Sequence, residues 1–209
     1  MAIHTASMGL YGATWQARGY CGSGAVGEFL NALAGRTALI CGNAAGVFDE
    51  VAEASALVEQ PVVFAANDVG MYLPRLDHWV TLHEGNLKAW KAVRWLHQQQ
   101  DEQVWVHSHQ ADPAVDVVWT GLTPLFSLSG YFAMQLAYLL GCERIILCGC
   151  PGDATRRFFD GPYPTRQLGY GNDGLRKQVM SEMYRLPEFK AAVRSMSGWT
   201  KEFFGSIDT

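Results

Sequence analysis

Small residues, amides and an acid stand where two apolar runs of this 209-residue sequence end. The first run closes on Gly42 and Asn43. The second closes on Asn67 and Asp68. Glycine lets a backbone approach a ligand closely, and amide or carboxylate groups can hydrogen-bond a base or a ribose. An ordinary tight turn has the same composition, so these residues alone leave a nucleotide site and a plain turn open.

A third feature is the pair Ser129 and Gly130, which precedes a helical pattern at 130–140. Serine is a common N-cap residue, and we predict that Ser129 caps this helix. Gly130 would leave room beside the first helical N–H groups, where a phosphate can bind. A capping serine with no ligand accounts equally well for these residues.

Titratable and basic residues follow two further apolar runs. His83 ends the run at 77–84, and a histidine can act as an acid or a base near neutral pH. Asp153, Arg156 and Arg157 follow the run at 144–150, and guanidinium groups suit a leaving phosphate. The structural alternatives are a His83 that merely faces the next helix and a solvated loop whose arginines pair with nearby acids.

The sequence therefore yields ten candidate site residues and no metal site. The predicted catalytic residues are His83, Asp153, Arg156 and Arg157. The predicted nucleotide-binding residues are Gly42, Asn43, Asn67, Asp68, Ser129 and Gly130. His107 and His109 would share one strand face, but only Asp112 stands near as a third metal ligand. Neither a G-x-G-x-x-G fingerprint nor a P-loop occurs.

These residues must be positioned by alternating strands and helices. The strand-like runs are continuously apolar, which is typical of a mostly parallel sheet covered on both faces. We predict a Rossmann-like three-layer α/β sandwich, with a single domain over 1–209, a loop-like arm at 1–23 and a lid loop at 158–178. Predicted strands lie at 37–43, 61–68, 77–84, 102–110, 144–150 and near 193–196, and predicted helices at 25–35, 47–59, 87–100 and 130–140.

The composition is that of an ordinary globular protein, with 49% hydrophobic and 17% charged residues. A net charge of −4 argues against a nucleic-acid partner. We find no signal-peptide pattern, and the longest apolar segment is too short to span a bilayer. Five cysteines, several in apolar runs, favour reduced thiols and a cytoplasmic location. Seven tryptophans fit a sugar-binding face, a homo-oligomer interface or the core.

Four segments occur in an order that resembles a known superfamily. They are a strand ending "CGNAAG", a strand ending "ND", the segment "DHWVTLH" and "SGYFAMQLAYLLGCERIILCGCPGD". Over roughly residues 36–198 the chain resembles the superfamily of bacterial Rossmann-like sialyltransferases, motility-accessory-factor proteins and pterin-pyrophosphokinase-like proteins. The resemblance implies that a nucleotide lies across Asn43, Asn67 and Ser129-Gly130.

The sequence also departs from that superfamily. The sialyltransferases carry a late catalytic histidine, whereas this chain has no histidine after His109. They hold the leaving phosphate with tyrosines, whereas Arg156, Arg157, Phe158 and Phe159 stand nearby here, with Tyr163 later. The nucleotide-binding half is thus expected to be kept, with the transfer chemistry different or absent.

We therefore predict a nucleotide-dependent transferase, glycosyltransferase-like, with a nucleotide or nucleotide sugar as its ligand. No D-x-D motif is present, which disfavours a metal-dependent sugar transferase. One alternative is diphosphate transfer to a small acceptor, which would need Mg²⁺ and a convergence of Asp68, Glu84 and Asp153. The other is a non-catalytic nucleotide-binding or assembly protein.

Overall fold

The computed structural model describes residues 30–97, 103–119, 122, 128–153, 157–159 and 173–208, together with a strand at 16–17. Apart from that strand, the predicted arm at 1–23 lies outside the described residues. So do Arg156 and residues 160–172 of the predicted lid.

The described part of the chain contains an eight-stranded sheet. Its strands are β1 (Gln16–Ala17), β2 (Thr37–Cys41), β3 (Val62–Ala66), β4 (His78–Val80), β5 (Trp105–Ser108), β6 (Val117–Val118), β7 (Arg144–Cys148) and β8 (Val193–Ser195). Their order is β1-β6-β5-β4-β3-β2-β7-β8. All neighbouring pairs are parallel except β1 with β6. The predicted mostly parallel sheet is confirmed.

Helices cover both faces of this sheet. They are α1 (Val47–Leu57), α2 (Leu87–Leu96), α3 (Ser129–Leu139), α4 (Asp173–Arg185), α5 (Pro187–Ala192) and α6 (Gly198–Phe204). Short 3-10 helices occupy Asn67–Met71 and Glu84–Asn86. None of the described helices is long and apolar enough to cross a membrane.

Two apolar clusters, one on each face, explain why the strands read as continuous apolar runs. In β2, Ala38 and Ile40 join the cluster that contains α3, whereas Leu39 and Cys41 join the cluster that contains Val47 of α1. Successive side chains of a strand point to opposite faces, so a strand buried on both faces needs apolar residues at every position. The three-layer prediction is confirmed by this arrangement.

Several local predictions were wrong. Residues 30–35 form turns instead of the end of a helix, and Gly35 adopts a φ of +77°. Residues 173–178 of the predicted lid are helical, because they begin α4, which buries Val179 and Met183 in the core. The strand predicted over 77–84 spans three residues, since the chain after Val80 turns towards α3. β6 and α6 had no distinct sequence signal.

A buried hydrogen-bond chain links β4, β5 and the residue after β6. Trp119 donates its indole N–H to Nδ1 of His107 at 3.0 Å, so that nitrogen carries no proton. The other nitrogen of His107, Nε2, therefore carries the proton and donates it to Nδ1 of His78 at 2.9 Å. The His78 ring stacks on Phe64, with 4.4 Å between ring centroids. His107 is thus a core residue and does not form a metal-binding pair with His109.

The buried pair of His78 and His107 makes the fold sensitive to acid. Burial lowers the pKa of His78 from 6.5 to about 4 and the pKa of His107 well below its usual value. Between pH 6.5 and 4 these two histidines bind protons in the unfolded chain but stay neutral in the native state. The free energy of unfolding therefore falls as the pH falls. We expect a loss of roughly 1.4 kcal/mol per pH unit for each histidine that stays neutral.

Urea unfolding at pH 7.5, 6.5, 5.5 and 4.5 measures this slope. His97→Gln is the control, because it removes an exposed histidine and keeps the buried pair. A free energy of unfolding that stays constant from pH 6.5 to 4.5 would contradict the neutral buried pair.

Candidate functional site

A cleft of about 470 Å³ opens at the carboxyl ends of the central strands, beside the N-terminus of α3. Nine of the ten residues predicted from the sequence line it: Gly42, Asn43, Asn67, Asp68, His83, Ser129, Gly130, Asp153 and Arg157. The tenth, Arg156, lies outside the described residues. The structure thus brings the candidates together, and their individual roles stay predictions.

The floor of the cleft is a close approach between the ends of β2 and β7. The Gly42 N–H donates to the Cys148 carbonyl at 2.7 Å, and the Ala44 N–H donates to the Gly149 carbonyl at 3.1 Å. Glu50 of α1 accepts the Gly149 N–H at 2.6 Å. A Cβ on Gly42 would lie 2.4 Å from the Gly149 oxygen, so this approach requires glycine.

Asn43 and Asp68 form a hydrogen-bonded pair in one wall. The Asn43 Nδ2 donates to Asp68 Oδ1. The Asn43 Oδ1 is buried and has no hydrogen-bond partner among the described residues. Burial raises the pKa of Asp68, against the opposing effects of its backbone hydrogen bond, the Asn43 bond and the charge of Arg157. Both residues line the cleft, so these acceptor oxygens belong to its wall.

Asn67 accepts two hydrogen bonds from other residues of the protein. Its side-chain oxygen accepts from the Thr81 hydroxyl at 2.9 Å, and its carbonyl accepts from the Trp79 indole N–H at 2.6 Å. Its φ of 62° lies in the left-handed region, which asparagine tolerates better than most residues. The Nδ2 group of Asn67 takes part in neither of these bonds.

The prediction that Ser129 is an N-cap was wrong. Leu128 is the N-cap of α3, without a side-chain hydrogen bond, and Ser129 is the first helical residue. The Ser129 hydroxyl accepts the Leu82 N–H at 3.3 Å and so ties the end of β4 to α3. A Cβ on Gly130 would meet the Cys150 sulfur at 3.4 Å, an ordinary contact, so packing alone does not demand glycine there.

His83 is exposed at the cleft, and its backbone N–H donates to the Thr81 hydroxyl at 2.8 Å. Glu84, the next residue, turns away. Its carboxylate accepts the Ser108 hydroxyl and lies 3.3 Å from Nδ1 of His109. In this loop His83 therefore lines the cleft, whereas the Glu84 carboxylate binds the end of β5.

Asp153 belongs to a second wall built around Arg176. One carboxylate oxygen pairs with the Arg176 guanidinium, and the other accepts the Trp199 N–H at 2.9 Å in the first turn of α6. The guanidinium also lies over the Trp199 ring, 5.6 Å from its centroid. Both oxygens of Asp153 are thus engaged, which weakens its predicted role as a catalytic acid.

Arg157 joins the cleft through an isolated β-bridge to Ala44, and its guanidinium lies 5.1 Å from the Phe159 ring centroid.

Other residues that line the cleft were not predicted from the sequence, including Asn86, Trp90 and Tyr131. Asn86 and Tyr131 stand within three residues of candidates and could have been found by proximity; Trp90, one turn into α2, carried no such signal. Among the described residues, no group of three or more His, Cys, Asp and Glu could hold a metal ion.

The floor of the cleft can be tested by adding a methyl group. We expect Gly42→Ala to lower the free energy of unfolding by about 2 kcal/mol or more, because its Cβ overlaps the Gly149 carbonyl and the Cys150 sulfur. Gly46→Ala is the matched control, since its Cβ would meet its nearest atom, in Glu50, at 3.5 Å. Equal unfolding midpoints in urea for the two variants would disprove the close approach.

This fold also occurs in proteins of known structure. No family model matches the chain, and no curated protein sequence matches it significantly. Two solved structures of the sialyltransferase CstII from Campylobacter jejuni share its fold at 13% identity. One is a complex with the substrate analogue CMP-3FNeuAc (TM-score 0.54, covering 82% of this chain and 86% of that one). The other is a complex with cytidine-5'-monophosphate (TM-score 0.55, covering 83% and 85%). The fold of this chain is thus that of a bacterial sialyltransferase, as the sequence resemblance implied.

Proposed function

We propose that this protein is a nucleotide-dependent transferase that takes a sugar from a nucleotide sugar. The observation that carries the proposal is the gathering of Asn43, Asp68, Ser129 and Gly130 around one cleft at the carboxyl edge of a parallel sheet. Ligands of open α/β sheets bind at this edge. The shared fold of a sialyltransferase solved with cytidine nucleotide ligands supports the same placement.

The phosphate end of the ligand would lie at the N-terminus of α3. The first N–H groups of a helix have no intrahelical acceptor, and the helix dipole favours negative charge there. Gly130 leaves this end open, and Arg157 lines the same cleft. Arg157, with Arg156 beyond the described residues, would then compensate the charge of the leaving phosphate.

His83 would be the general base that takes the proton from the acceptor hydroxyl. It is the one histidine among the described lining residues of the cleft. It stands after β4, whereas the resembled transferases carry their histidine late in the chain. This chain would therefore keep the nucleotide site and use a base from a different strand end.

Diphosphate transfer is less well supported. It would need Asp68, Glu84 and Asp153 to converge on Mg²⁺. Glu84 instead binds Ser108, and Asp153 binds Arg176 and the Trp199 N–H. Because two of the three carboxylates serve other partners, we favour sugar transfer, with a non-catalytic nucleotide-binding protein as the alternative that the experiments below address.

The nucleotide site is tested by thermal shift with cytidine, uridine, guanosine and adenosine mono- and diphosphates. We expect one base to raise the melting temperature, and Gly130→Val to abolish that rise, because a β-branched side chain blocks phosphate approach. Gly85→Val is the control, since a Cβ at Gly85 meets nothing within 4 Å. If Gly130→Val binds nucleotide as well as the parent, the phosphate does not lie at α3.

Catalysis is tested by His83→Gln, assayed as nucleotide release from the nucleotide sugar of the base identified by thermal shift. We expect the rate to fall by about 10²-fold or more with nucleotide affinity unchanged, since a positioned base contributes about that much. His97→Gln, an exposed substitution at the end of α2, should retain the parent rate. A His83→Gln protein as fast as the parent would remove His83 from the chemistry. A parent that binds nucleotide but releases none would favour the non-catalytic alternative.

A further inference from the structure

Asn43 and Asp68 each have a further acceptor oxygen beside the hydrogen bond that joins them in one wall of the cleft. A carboxylate cannot donate, so the hydrogen bond between Asn43 and Asp68 fixes the Asn43 amide with Nδ2 towards the acid. That orientation leaves the Asn43 Oδ1 as an acceptor, and the atom is buried without a partner among the described residues. A buried acceptor that lacks a partner costs free energy, and a ligand that donates to it recovers that cost.

We propose that Asn43 and Asp68 form the ribose subsite of the cleft and bind the vicinal hydroxyl pair of a ribonucleotide. The inference rests on the proposed function, because it assumes a nucleotide in this cleft. Two neighbouring O–H donors match the Asn43 Oδ1 and the second oxygen of Asp68. Hydrogen bonds to an ionised acceptor are stronger than neutral ones, so Asp68 would carry most of the discrimination.

The same pair fixes the direction of the ligand. A phosphate placed beside Asn43 and Asp68 would compete with the Asp68 carboxylate for the nearby charge of Arg157, and both that carboxylate and the Asn43 oxygen would repel it. The N-terminus of α3, which includes Ser129 and Gly130, instead presents N–H donors. The ribose therefore lies towards the ends of β2 and β3, and the phosphates lie towards α3.

Asp68 is what makes the subsite selective. An asparagine at this position would have the same shape but would add a donor and remove the charge. An exocyclic amine of a base also donates two hydrogen bonds, but uracil has no such group, and 2′-deoxynucleotides retain the amines of their bases. Ligand series that vary the sugar and the base separately therefore distinguish the two kinds of donor.

The experiment is calorimetric titration of the full-length protein with the four ribonucleoside 5′-monophosphates and their 2′-deoxy counterparts. For the nucleotide that binds, we expect the 2′-deoxy form to bind about tenfold or more weakly to the parent and to the control Asp208→Asn, an exposed site outside the cleft. Asp68→Asn should reduce that ratio to below about threefold.

The outcomes separate the two proposals. Equal affinity of the parent for the ribo and 2′-deoxy forms overturns the ribose subsite and leaves the nucleotide site standing. Equal ratios in the parent and in a folded Asp68→Asn protein overturn the role of Asp68. Binding of none of the four ribonucleotides overturns both proposals. The comparison of ribo with 2′-deoxy ligands on the parent alone does not depend on how any variant folds.

Discussion

The close approach of Gly42 and Gly149 is the constraint on which the cleft depends. β2 pairs with β3 on one side and with β7 on the other, and the chain leaves these strands in opposite directions across the sheet. Such a switch point leaves a crevice beyond the strand ends. Here the crevice is closed at its base by backbone hydrogen bonds between two turns that have no room for a side chain at Gly42. Glu50 of α1 secures the second turn from behind.

Polarity divides the cleft above this floor. Acceptor oxygens gather at Asn43 and Asp68, with the charge of Arg157 near that carboxylate, whereas N–H donors gather at the start of α3. The sheet itself produces this division, because the carboxyl ends of β2 and β3 lead into turns with polar side chains while α3 arrives with its N-terminus. A ligand with a diol at one end and phosphate at the other matches both halves.

Two carboxylates near the cleft are held by other protein groups. Glu84 is held by the Ser108 hydroxyl, and Asp153 is held by Arg176 and the first turn of α6. A carboxylate held in this way stabilises the wall of the cleft. To reach a ligand it would have to break these hydrogen bonds, which would cost the free energy that the bonds contribute. Asp68 differs, because its hydrogen-bond partner Asn43 lines the cleft with it.

The sequence by itself determined the layers of the fold and the places where a site could form. Continuous apolar runs specified strands buried on both faces, and the polar residues that end those runs necessarily meet at one edge of a parallel sheet. Only the tertiary structure decided which of those polar residues face the cleft. Asp153 pairs with Arg176 across a long stretch of chain, and Ser129 binds Leu82 instead of capping its own helix. Such choices depend on contacts between residues far apart in sequence, and no local pattern encodes them.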